Sequence, residues 1–85
     1  MIVINYGTSS HYEENVWDKY FCKNKRSAKK QLKELLELQE FNKESIKDGL
    51  YKFDWATTYQ FCNTNIHIEE KEKEIFINVY EVDLI

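Results

Sequence analysis

Ile66-His67-Ile68-Glu69-Glu70-Lys71-Glu72-Lys73-Glu74-Ile75-Phe76-Ile77-Asn78-Val79 is the stretch whose reading decides the fold. Ile66 and Ile68 recur at every second position, as do Ile75, Ile77 and Val79, and the charged run Glu70-Lys71-Glu72-Lys73 separates the two sets. A period of two places one set of side chains on a buried face, so this stretch predicts a β-hairpin. At the other end of the chain, Ile2, Ile4 and Tyr6 alternate with Val3 and Asn5, which predicts a first strand ending near Gly7. Between them lies a helical pattern over about 27–40. Ser27 is its expected N-cap, and Ala28, Leu32, Leu35, Leu36 and Gln39 mark one face.

Three segments join these elements. Ser10-x-x-Glu13 resembles a capping box, and Tyr12, Val16, Trp17, Tyr20 and Phe21 follow at helical spacing. A helix over 11–22 is the preferred reading; a strand over 16–22 is the rival, because Val-Trp and Tyr-Phe favour β-structure. Asn42 is expected to cap a short helical turn through Lys47, stopped by Asp48-Gly49. Residues 50–62 stay open: Asp54, Trp55, Tyr59 and Cys62 suit a short helix, whereas Thr57, Thr58, Tyr59 and Phe61 suit a strand. The expected architecture is α+β. The N-terminal strand and C-terminal hairpin form a small antiparallel sheet, with one long and one or two shorter helices packed on one face.

At 85 residues the chain is read as a single domain, 1–85. Hydrophobic residues make up 42% and charged residues 32%, a balance too apolar for intrinsic disorder. No apolar run is long enough to span a bilayer, and the first residues carry no basic region before a hydrophobic one. The expectation is a cytoplasmic protein with no membrane association. Cys22 and Cys62 would then stay reduced. Lys, Asn, Ile, Tyr and Phe are abundant, Arg26 is the one arginine and proline is absent. This bias matches AT-rich codons.

The net charge of −3 conceals a segregation. Residues 1–18 hold three acids and no Lys or Arg; residues 19–33 hold seven bases and no acid; residues 34–85 hold twelve acids against five lysines. The basic block includes Lys23, Lys25, Arg26, Lys29 and Lys30 and surrounds the start of the long helix. Helix dipoles favour acids in the first turn and bases in the last. Here the order is reversed, with Lys29 and Lys30 at the start and Glu34, Glu37 and Glu40 at the end. The block is a candidate anion or nucleic-acid site, against the plainer reading of a solvated helix offset by tertiary neighbours. Glu69, Glu70, Glu72 and Glu74 around the hairpin turn form the opposite candidate, an acidic protein-binding surface.

Catalytic and cofactor chemistry finds little footing. Glycine occurs only at 7 and 49, so there is no dinucleotide fingerprint, phosphate loop or nucleophile elbow. His11, Cys22, Cys62 and His67 lack the close-pair spacing of zinc modules, although Cys62 and His67 could approach across a bend at 63–65. No metal and no cofactor are expected. Cys22 lies beside Lys23, Lys25 and Arg26, surroundings that can activate a thiol, but burial as a structural cysteine is the favoured reading. No complete catalytic set can be assembled, so an enzyme is not expected.

In size, AT-rich composition and charge segregation the chain is similar to the small proteins that phages and mobile elements encode to block host machinery. That resemblance implies a non-enzymatic protein-binding inhibitor, of the anti-restriction or anti-CRISPR type. Its acidic and aromatic surface would dock onto a host protein or complex that handles nucleic acid. The alternative is a small nucleic-acid-binding protein using residues 19–33, with Tyr20 or Phe21 for stacking.

Overall fold

The computed structural model describes residues 1–10, 13–60 and 63–83. In chain order the elements are β1 (Ile2–Ser10), β2 (Glu13–Cys22), α1 (Lys25–Leu38), α2 (Lys43–Trp55) with a π-helical continuation (Ala56–Gln60), β3 (Thr64–Glu70) and β4 (Lys73–Glu81). The strands form one sheet in the order β2-β1-β4-β3, with every neighbouring pair antiparallel. Both helices pack on one face, the arrangement expected from the sequence. Among the described residues no helix is long and apolar enough to cross a membrane.

The C-terminal hairpin forms where the alternation predicts it. Glu70 pairs with Lys73, and Lys71 turns the chain with φ 54°. β1 runs past Gly7 to Ser10, paired on both sides: Gly7 lies opposite Trp17 in β2 and Phe76 in β4. At the opposite end of β1, next to the Ile2–Glu81 pair, the Met1 amino group donates to the Val82 carbonyl at 3.0 Å and the Val82 amide donates to the Met1 carbonyl at 2.9 Å.

The segment at 13–22 is a strand, which corrects the preferred helical reading; residues 11 and 12 lie outside the described residues. Its pairing with β1 runs in register from Ile2–Cys22 to Thr8–Val16. Large apolar residues occupy both of its faces: Trp17 and Phe21 point away from the helices, while Cys22 and Tyr20 pack toward the core. That two-sided distribution hides a period of two and mimics helical spacing. Pairing with β1 then gives the backbone its hydrogen bonds.

α1 begins two residues earlier than expected, and its N-cap is Asn24 rather than Ser27. The Asn24 side chain accepts from the Ser27 amide at 2.9 Å, while Ser27 Oγ accepts from the Asn24 amide at 3.3 Å. Ser27 is therefore the reciprocal partner three residues into a capping box. Asn42 does cap α2, accepting from the Ser45 amide at 2.8 Å. Gly49 does not stop this helix. A Cβ at position 49 would lie 2.5 Å from Ile68 Cδ1 and 2.9 Å from Leu36 Cδ1, so the missing side chain lets α2 settle between β3 and α1. The helix continues to Trp55 and resolves most of the open segment 50–62; residues 61 and 62 lie outside the described residues.

The core fills the space between the layers. Ile2, Ile4, Cys22, Ile66, Ile68, Ile75, Ile77 and Val79 from the sheet meet Ala28, Leu32, Leu35 and Leu36 of α1, Phe53 of α2 and Phe41 between the helices. Phe53 is 1% exposed and among the largest fully buried side chains. Truncating it removes a ring from a site enclosed on all sides. Phe53→Ala should lower the unfolding free energy by about 3–5 kcal/mol, much of what a domain this small possesses. Urea denaturation followed by circular dichroism would measure it, and a loss below about 1 kcal/mol would contradict this packing.

Candidate interaction surfaces

The basic block divides into two parts. Lys25 Nζ donates to the Thr57 carbonyl at 2.8 Å, and Lys29 Nζ pairs with Asp54 at 2.6 Å. Both groups reach the C-terminal end of α2, where a helix dipole favours cations. At the other end of α1, Lys73 from β4 donates to the carbonyls of Glu40 at 2.6 Å and Gln39 at 3.4 Å. The cation missing from the last turn of α1 thus arrives from the hairpin. Arg26, Lys30 and Lys33 remain on the outer side of α1 and, with Lys29 and Leu50, line a shallow depression. Lys23 is exposed in the loop before the helix.

The acidic hairpin divides as well. Glu70 accepts from the Asn42 amide at 2.9 Å and from Asn42 Nδ2 at 2.8 Å, so it ties the start of α2 to the sheet. Glu72 sits exposed in the turn. Glu69 and Glu74 lie directly opposite each other across β3 and β4. Their side chains point away from the helices, onto the outer face of the sheet.

That outer face brings together residues far apart in sequence. Along one cross-strand row lie Phe21, Val3 and Tyr80; along the next, Lys19, Asn5, Asn78 and Asn65. The following row holds Trp17, Gly7, Phe76 and His67, and beyond it lie Glu74 and Glu69. Val3 is 1% exposed although it is not part of the core between the layers, so the outer face is itself apolar at that row. A Cβ at Gly7 would come within 2.6 Å of Trp17 Cε2, which means that the indole lies across the glycine backbone. The indole is nevertheless 55% exposed, and Phe21 is 65% exposed. His67 stacks on Phe76 with centroids 4.6 Å apart and planes 10° from parallel. Asn78 Nδ2 donates to Asn65 Oδ1 at 2.9 Å, ordering the polar row.

A second aromatic stripe lies on the solvent side of α2. Tyr51, Trp55 and Tyr59 recur every fourth residue and are exposed, with the Trp55 and Tyr59 rings 6.0 Å apart. The sequence indicates an excess of aromatics but not their positions. Once 13–22 is a strand, the odd-numbered aromatics Trp17 and Phe21 fall on one face, and that is the signal that finds them.

Catalytic features are weak where the structure describes them. Cys22 is buried in the core, and desolvation pushes its thiol up, opposite to what a nucleophile needs. His11 and Cys62 lie outside the described residues, and with them the Cys62–His67 pairing. A hollow lined by Ile2, Ala56, Thr57, Val79 and their neighbours measures about 10 Å³, room for one water molecule. Comparison with models of known protein families, with curated proteins and with solved structures gave no match.

The phenol of Tyr6 is pushed up to about 12, first by its hydrogen bond with Tyr20, then by desolvation and by the charges of Tyr20 and Asp18. The two rings stack 5.5 Å apart. A phenol held neutral in the folded state stabilises it below the usual value of 10.0, and that contribution is lost as pH rises from there to about 12. Phenolate absorbance should therefore show one tyrosine titrating about two units late, and Tyr20→Phe should bring it down. A titration curve unaltered by Tyr20→Phe would exclude the coupling.

Proposed function

We propose that this protein is a non-enzymatic binding module that docks the outer face of its sheet onto a partner protein. The observation that carries the reading is Trp17, laid across Gly7 at the β2 edge of the row that continues through Phe76 to His67, and still more than half exposed. Aromatic side chains held by a rigid surface lose little freedom on binding and are favoured interface anchors. Phe21 and Tyr80 lie on the same face beyond the polar row of Lys19, Asn5 and Asn78, and Glu69 and Glu74 border the Trp17 row on its other side, so aromatic and acidic features share one face. Of the acids around the hairpin turn, these two adjoin the patch, whereas Glu70 is engaged with Asn42.

A partner complementary to this face has an apolar centre and a basic margin. Grooves built for nucleic acid have such margins, and occupying one would make the protein an inhibitor of a nucleic-acid-processing complex, as phage- and mobile-element-encoded proteins are. A second reading, direct nucleic-acid binding, draws on Lys23, Arg26, Lys30 and Lys33. It is the weaker of the two because Lys25 and Lys29 already serve α2.

The test is quantitative binding to the protein captured from cells that carry the chain. Trp17→Ala and Phe21→Ala, each checked for retained fold, should weaken that affinity by about 30-fold, the scale of a hot-spot residue. Glu69→Gln with Glu74→Gln should slow association and flatten its salt dependence. Full affinity in both aromatic variants would reject the outer face. A steeply salt-dependent gel shift abolished by neutralising Arg26 and Lys30 would favour the nucleic-acid reading instead.

A further inference from the structure

The geometry points to a surface site for a divalent transition-metal ion of the Zn²⁺ class, formed by His67, Glu69 and Glu74. One ligand atom from each of the three lies within 4.8 Å of the others. Their convergence follows from the strands. His67 and Glu69 are two residues apart on β3 and so share a face, and Glu74 stands opposite Glu69 on β4. In a tetrahedral zinc shell the ligand atoms lie about 3.3 Å apart, given metal–ligand distances of about 2.0–2.2 Å. Closing the remaining gap falls to the rotatable bonds of the two glutamate side chains.

Three further observations favour an ion over a merely solvated cluster. First, the His67 ring is already fixed in plane by its stack on Phe76, so less freedom is lost when its nitrogen takes a ligand. Second, like charges placed directly opposite in a sheet repel each other, and among the described residues neither Glu69 nor Glu74 has an ion-pair partner. Two of the nearby lysines are directed elsewhere: Lys73 to the Gln39 and Glu40 carbonyls, Lys52 to Asp48 and the His67 carbonyl. Third, the hairpin carrying all three ligands is pinned to the helices by Glu70 and Lys73 on its other side, which holds the strands in register.

An imidazole with two carboxylates is a nitrogen–oxygen set suited to zinc and its first-row neighbours rather than to calcium or magnesium, whose sites use oxygen alone. Three protein ligands leave a coordination position open to water or to a donor from another molecule. Searching the sequence for closely spaced Cys and His pairs misses this set, because its third ligand comes from across the hairpin.

The experiment is a titration of the metal-free full chain with ZnCl₂, followed by calorimetry and by amide and imidazole NMR resonances. Expected is saturable binding of one ion, with shifts centred on His67, Glu69 and Glu74. His67→Ala and the isosteric Glu74→Gln should each weaken it by about tenfold or more, while Cys22→Ser and Cys62→Ser leave it unchanged. No saturation by about 1 mM Zn²⁺, or binding that survives both His67→Ala and Glu74→Gln, would overturn the site. Binding that follows the cysteines or His11 would do so as well. No partner protein enters this titration, so its failure would leave the proposed docking face untouched, and the converse also holds.

Discussion

The pairing of β1 with β4 is the constraint on which the rest of the structure depends. It joins an N-terminal hairpin to a C-terminal one across the two helices, with register running from Ile2–Glu81 to Ser9–Glu74. A two-stranded hairpin is marginal alone in water; four strands with a covered face are not. The register also decides the identity of both faces. As built, Ile2, Ile4, Ile75, Ile77 and Val79 meet the helices, while Val3, Gly7 and Phe76 face outward. A slip of one residue along β4 would turn its isoleucines out to solvent and break the core against Leu32, Leu35 and Phe53. Burial of that ladder therefore fixes, at a distance, where Trp17 and His67 come to rest.

Charge is organised by the same closure. Read along the chain, α1 violates the preference of its own dipole, with Lys25 and Arg26 in its first turn and no base in its last. In the folded molecule those positions belong to two helices at once. Lys25 and Lys29 lie at the end of α2, and Lys73 caps the end of α1. A local preference worth about 0.3–1 kcal/mol yields to contacts that also tie layers together. For Lys25 and Lys29 the plainer reading, offset by tertiary neighbours, accounts for the anomaly. Glu70 has the same kind of role, since its carboxylate secures the N-cap of α2.

The legible parts of the fold were those whose pattern has one cause. The C-terminal hairpin is legible because Ile66, Ile68, Ile75, Ile77 and Val79 are buried on one face and a charged turn separates the two sets. α1 is periodic because Ala28, Leu32, Leu35 and Leu36 face the sheet and its other positions are strong helix formers. The misread segment has two causes superposed, since β2 carries apolar residues on both faces. Gly49 misled for a related reason: a glycine near an Asp signals a helix stop, but here it answers to the side chains of Ile68 and Leu36, which no local window contains. Of the candidate acids, Glu69 and Glu74 could be placed on one face from sequence, yet their separation from Glu70 required knowing that Asn42 lies beside the hairpin.

The outer face is unusual because none of the described elements packs over it. A sheet wetted on one side normally presents polar residues there, and Asn5, Asn65 and Asn78 follow that rule. Trp17 and Phe21 do not, and exposing them risks association with unintended surfaces. Two features limit that risk. The indole is seated on a glycine, which hides one of its faces, and Val3 beside Phe21 is already buried. The polar row between the two aromatic rows, and the acids beyond them, confine the apolar area to short stretches. A surface with these properties favours a partner matched in both shape and charge over generic hydrophobic contact, because an apolar partner alone would leave Lys19, Glu69 and Glu74 desolvated and unpaired.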